Sequence, residues 1–159
     1  MIAMIKNFEI KPGYGFDSIK LGMTREEIVK AIGKPHHTEK TKHDEGGDAE
    51  TYYYENPDFD LSFESEDGYR LSYISVESTE FHISGKIKMG DSQEAVLAAL
   101  KELNFDEPLV DEEADPENPN QTMVNLEEEN IDLWFNGGIL DEIQFGPFWE
   151  DDDTPVWPK

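Results

Sequence analysis

Carboxylates are the most abundant reactive groups in this chain. There are 37 aspartates and glutamates against 13 lysines and arginines, for a net charge of −24 over 159 residues. Carboxylate pairs of the kind that split glycosidic bonds therefore recur by chance and single out no site. The four histidines, His36, His37, His43 and His82, are the other candidate acid–base or metal-binding groups. His36 and His37 are adjacent, so a strand sends them to opposite faces, and no pattern resembles a zinc-protease motif. The chain lacks cysteine, which removes thiol nucleophiles, thiolate metal sites and disulfides. No Gly-x-Ser-x-Gly elbow or dinucleotide fingerprint is present. Gly13-Tyr14-Gly15-Phe16 is too short for a phosphate loop, lacks the lysine that would follow one, and reads as a turn. The expectation is a protein without catalytic residues, cofactor or metal.

Recognition chemistry is better represented. Tyr52, Tyr53 and Tyr54 lie on one expected strand, whose alternation separates Tyr53 from Tyr52 and Tyr54. They serve either as core plus rim or, at Tyr52 and Tyr54, as a binding platform, because tyrosine and tryptophan dominate interface hot spots. Trp134, between Leu133 and Phe135, is expected to face away from the core as an interface anchor, unless the tail folds over it. Acidic runs at Asp111, Glu112 and Glu113, and at Asp151, Asp152 and Asp153, read as solvated loops or as phosphate mimics for a basic cleft. Trp149 sits beside the second run, in a tail that is either a strap across the sheet or a mobile acidic arm. A calcium loop is excluded for want of the central glycine and terminal glutamate.

Charge bounds the partners. Such an acidic surface repels nucleic-acid phosphates and anionic membranes, and it attracts basic proteins. Residues 1–79 carry net −7 and residues 80–159 net −17, which places the attraction mainly on the second half. No apolar run approaches the roughly 20 residues of a bilayer span. The start has no secretory pattern, so the expected location is the cytoplasm. The free chain is expected to be monomeric.

The elements that position these residues are organised around Ile19 to Pro35. Thr24 can cap a helix and Glu27 can return the bond, a capping box. Met23, Ile28, Ala31 and Ile32 form an apolar stripe at helical spacing, and Gly33 with Pro35 stops it. The pattern returns 68 residues later at Ile87 to Leu100, with identities at 19/87, 20/88, 22/90, 26/94 and 31/99. Strands are expected over 7–11, 36–43, 50–55, 59–63 and 69–76 in the first half. In the second, 81–83 opens the series, 122–127, 131–135 and 139–145 follow, and 106–121 is a long acidic loop. The fold class is thus α+β with two tandem repeats. Each is a helix on a three- to four-stranded antiparallel sheet, and the sheets lie side by side or are continuous. The divisions are 1–79, 80–146 and a tail, 147–159, rich in acid, tryptophan and proline.

Ile19 to Pro35, followed by a tyrosine-rich strand and a hairpin, resembles the β-lactamase-inhibitor-like fold. That group includes the secreted inhibitor of two tandem repeats and single-repeat outer-membrane-assembly lipoproteins. The likeness covers 19–35 well and 87–100 more loosely. The resemblance implies an open, aromatic-bearing sheet face that grips another protein. The chain departs from both relatives in lacking the lipoprotein's N-terminal cysteine and the inhibitor's disulfides. It also looks like small acidic proteins of bacterial toxin–immunity loci. The function expected is a non-enzymatic inhibitor or immunity protein that blocks a basic toxin or nuclease. The alternatives are a small-ligand binder or enzyme using a groove between the repeats, and a scaffold subunit of a larger assembly.

Overall fold

The structure, a computed structural model, describes residues 5–159. It is an α+β fold with two helices and a large antiparallel sheet. Pairs of short strands precede each helix: β1 (Gly15–Phe16) with β2 (Ile19–Lys20), then α1 (Arg25–Ile32). Four strands follow, β3 (His37–Lys42), β4 (Asp48–Tyr54), β5 (Phe59–Glu64) and β6 (Arg70–Val76). The chain continues through β7 (His82–Ile83), β8 (Ile87–Lys88) and α2 (Gln93–Glu102). It then forms β9 (Leu109–Asp111), β10 (Gln121–Leu126), β11 (Ile131–Asn136) and β12 (Ile139–Phe145). A last ribbon, β13 (Phe148–Trp149) with β14 (Pro155–Val156), ends the chain.

The helices start where the capping chemistry directs. Glu27 N–H donates to Thr24 Oγ1 at 3.2 Å, and Thr24 N–H donates to Glu27 Oε1 at 3.0 Å. Ser92 caps α2 with one such bond, from Ala95 N–H at 3.2 Å. Two backbone bonds lock each helix entry to the sheet. Gly22 N–H donates to Leu71 O and Leu71 N–H to Met23 O; Gly90 N–H donates to Leu140 O and Leu140 N–H to Asp91 O.

The large sheet has eight strands in the order β3-β4-β5-β6-β12-β11-β10-β9. Its centre is the β6–β12 ladder, with Ile74 opposite Phe145, Ser75 opposite Gln144 and Val76 opposite Ile143. Period-two alternation sends Phe59, Leu61 and Phe63 of β5, and Ile131, Leu133 and Phe135 of β11, to one face, where all are buried. Ile28 and Ile32 of α1 and Val96 and Leu100 of α2 join the same continuous core. Both helices therefore cover one side of the sheet. Removing each large side chain from water there stabilises the fold by about 1.5–3 kcal/mol.

Three expectations are corrected. Residues 7–11 form no strand; Glu9 makes a single parallel bridge to His82. The acidic loop contains an edge strand, β9, which sequence periodicity missed because three residues beside proline carry no alternation to read. Within the stretch Gly13 to Phe16, expected as a turn, the turn ends at Tyr14, and Gly15 and Phe16 are β1. The tail is ordered against the first half. Trp157 packs beside the core, and a Cβ on Gly22 would meet its ring at 3.1 Å. A Cβ on Gly13 would meet Phe148 at 2.6 Å. Among the described residues no helix is long and apolar enough to cross a membrane.

Candidate functional site

The residues that alternate away from the core form the other face of the sheet. One register row crosses all eight strands: His37, Tyr53, Asp60, Ser75, Gln144, Asp132, Asn125 and Leu109. Seven of the eight are polar or titratable, so this face has the chemistry of a surface. Near its middle lies an open concavity of about 370 Å3, lined by Asp60, Ser62 and Glu64 of β5, Tyr73 and Ser75 of β6, Asp132 and Gln144.

Hydrogen bonds hold much of this face in place. Ser75 Oγ donates to Glu142 Oε2 at 2.5 Å, and Gln144 Nε2 donates to the same oxygen at 3.0 Å. Trp134 Nε1 donates to Gln144 Oε1 at 3.0 Å, so Trp134, Gln144, Glu142 and Ser75 form one chain. Asn125 Nδ2 donates to Asp132 Oδ1 at 2.6 Å. Tyr53 OH donates to Glu39 Oε2 at 3.0 Å. Burial, then that bond, pushes the Tyr53 phenol up to about 12.

Asp60 is the exception. It lies between Tyr53 and Ser75 in the row, and no cation pairs with it among the described residues. Burial raises its carboxyl to about 7, and repulsion from Glu142 and Glu77 adds to the shift. Glu77 is itself raised, by burial and then by Glu142. The centre of the sheet therefore holds carboxylates that destabilise one another.

A second hollow, of about 290 Å3, adjoins the first through shared Glu64 and Tyr73. His43, Glu45, Glu66, Asp67 and Trp149 complete it. His43 Nε2 lies 2.7 Å from Glu64 Oε2, and this contact raises the imidazole's pKa. Tyr73 and Trp149 are 41% and 44% exposed, so both rings are available to a partner at this end.

The residues proposed from sequence separate into different places. Trp134 is on the open face, half-buried and tied to Gln144. Trp149 is exposed at the end of the groove. Tyr54 is corrected: it is 2% exposed, its OH donates to Gly33 O at 2.9 Å, and it stacks on Phe59. Tyr52 also turns to the helix side and packs on Phe63, with ring centroids 4.9 Å apart. Of the three tyrosines, Tyr53 is the one on the open face.

The acidic runs are not joined to this groove or to each other. Asp111, Glu112 and Glu113 lie on and after β9 at the far edge of the sheet, beside a separate hollow of about 600 Å3. Asp111 does face the same side as Trp134, through Met123. Asp151, Asp152 and Asp153 form the turn of the tail ribbon, where Asp153 N–H donates to Asp151 Oδ1. That bond comes first among the causes that lower Asp151's pKa.

Sequence reasoning overlooked Asp60, Glu64, Tyr73, Glu142 and Gln144 as site residues. Their signal was the polar half of the alternation, in Phe59-Asp60-Leu61-Ser62-Phe63 and Leu140-Asp141-Glu142-Ile143-Gln144. Among the described residues no group of three or more histidines or carboxylates is arranged to hold a metal ion. No family model, curated protein or solved structure matches this chain.

Proposed function

We propose that this chain is a non-enzymatic protein-binding module, an acidic inhibitor of the immunity-protein kind that covers a basic partner with its open sheet face. One observation carries the reading. The helices pack on one side of an eight-stranded sheet, and the other side presents a concavity lined by Asp60, Glu64 and Asp132, with neither lysine nor arginine among the described residues of its lining. The potential of such a face steers a basic protein toward it and selects against acidic ones.

The module is built, in this reading, as two tandem copies of one unit, 1–79 and 80–146, followed by the tail 147–159. The paired bonds at Gly22 and Leu71, and at Gly90 and Leu140, favour duplication, because they fall 68 and 69 residues apart in equivalent places. The two units meet at β6 and β12 and lay their sheets edge to edge. This is the architecture implied by the likeness to the β-lactamase-inhibitor-like fold. A toxin or nuclease is the partner class that best matches the charge.

The test is capture at low salt from a lysate of the host organism, with identification of the retained protein. A basic protein is expected with the wild-type chain and lost with Asp60→Lys/Asp132→Lys. Retention by both forms, or by neither, overturns the reading. A small-ligand site in the same concavity is the second reading. Its volume of about 370 Å3 favours this, since ligand pockets begin near 300 Å3. Capture of a low-molecular-weight metabolite in place of a protein selects it.

A further inference from the structure

The two hollows on the open face form one groove. They share Glu64 and Tyr73, and they run along β5 from Asp60 toward Trp149. Asp60 and Glu64 lie four strand steps apart, roughly 13 Å at the usual rise. The turn residues Glu66 and Asp67 extend the groove beyond that point. It is long enough for an extended segment of a few residues.

Charge and aromatic surface occur along it together. Asp60, Glu64, Glu66 and Asp67 line one stretch of β5 and its turn, with Glu45 opposite. Tyr73 and Trp149 are the two large exposed rings in the lining. Among the described residues His43 is the single basic side chain in the lining, and it is engaged with Glu64 at 2.7 Å. Among the described residues no cation pairs with Asp60, at the inner end. A carboxylate desolvated without a counter-ion gains most from one supplied externally.

We infer that this groove holds an arginine-bearing extended segment of the partner, with one guanidinium at Asp60 and a second on the faces of Tyr73 and Trp149. The inference rests on the protein-binding reading and names its recognition element. Arginine fits better than lysine for two reasons. A planar guanidinium stacks on tyrosine and tryptophan, and its fork of N–H donors matches a carboxylate. Lysine offers a compact, strongly hydrated charge that gains less from either. The acidic loop after β9 lacks such rings: its hollow is lined by Glu112, Glu113, Asp115, Pro116, Pro119 and Thr122.

The probe is a capped peptide of four Arg-Gly repeats, with the Lys-Gly peptide as its control. Binding to the full chain is measured by calorimetry at moderate salt, and the contact surface by amide shift changes. One-to-one binding is expected, about three- to fivefold tighter for the arginine peptide, with shifts along β5, β6 and the Glu66 turn. Asp60→Asn and Trp149→Ala each weaken it by about that factor, and Trp149→Phe retains most of it. Glu112→Gln/Glu113→Gln leaves it unchanged. Equal affinity for the two peptides, shifts centred on the β9 loop, or indifference to Asp60→Asn overturns the inference. A captured natural partner that survives Asp60→Asn/Trp149→Ala also overturns the groove, yet leaves the protein-binding reading intact. Groove binding of the arginine peptide without any captured protein supports the groove and removes that reading.

Discussion

Val76 lies opposite Phe59 on one side and Ile143 on the other, so a single residue links the strands of both halves at the centre of the sheet. The β6–β12 ladder has three residue pairs, whereas β5–β6 has six. The apolar cluster beneath it is continuous and takes in both helices. The short ladder therefore depends on side-chain packing for its strength.

Ile143→Ala tests that dependence. It leaves a cavity at a fully buried position and is expected to cost about 2–4 kcal/mol. Urea unfolding followed by far-ultraviolet circular dichroism and by tryptophan fluorescence should still give one coincident transition. Separate transitions would mean that the halves fold independently.

Asp60 makes stability depend on pH in the unusual direction for a carboxylate. Its folded pKa of about 7 exceeds the ordinary 3.8. The native state therefore holds a proton that the unfolded state has released, and stability falls as pH rises between these values. The contribution is fully present below pH 4 and lost above pH 7. Asp60→Asn is expected to flatten this part of the profile and to raise stability at pH 8 by about 1 kcal/mol, after discounting for partial exposure. Chemical unfolding from pH 4 to pH 8 reads it directly; an unchanged slope would refute the assignment.

Gly22 fixes the tail. Its φ is +91°, and an added Cβ would press on Trp157 at 3.1 Å. Gly22→Ala should cost about 1–3 kcal/mol, from backbone strain and overpacking together. Trp157→Phe in the same background should relieve part of it. A red shift of tryptophan emission in Gly22→Ala, lost when Trp157 is removed, identifies release of the tail.

Thr24→Ala removes one half of the reciprocal cap of α1, and about 1 kcal/mol is expected. Ser92→Ala should cost a comparable amount, because Ser92 also accepts from the N3 amide. Thermal melts of the two variants decide this, and a loss at only one helix would show that tertiary contacts hold the other.

These variants also mark what the chain announces about itself. Thr24, Glu27, Gly33 and Pro35 specify α1 through local chemistry, so its place was readable. The alternation of Phe59 to Phe63 and Ile131 to Phe135 named the buried face in advance. The join of β6 to β12 was not readable, since pairing between residues 67 to 71 apart leaves no mark in either segment. The burial of Tyr54 is not legible in the sequence, because three consecutive tyrosines look alike until the register decides which faces the helices. Asp60 is equally silent, because one aspartate among 37 acids carries no signal until neighbouring strands bury it. The row of polar residues became a site only when the strands were laid side by side.

The outer strand β3 is exposed along its whole length from His37 to Lys42. Two copies meeting there about a two-fold axis must place residues of the same face opposite each other. The two registers of greatest overlap then set Glu39 against Glu39 or Lys40 against Lys40. Like charges at that contact disfavour an edge-to-edge dimer through β3. The β3 rim is therefore a poor template for a second copy of itself, whatever the opposite edge at β9 does.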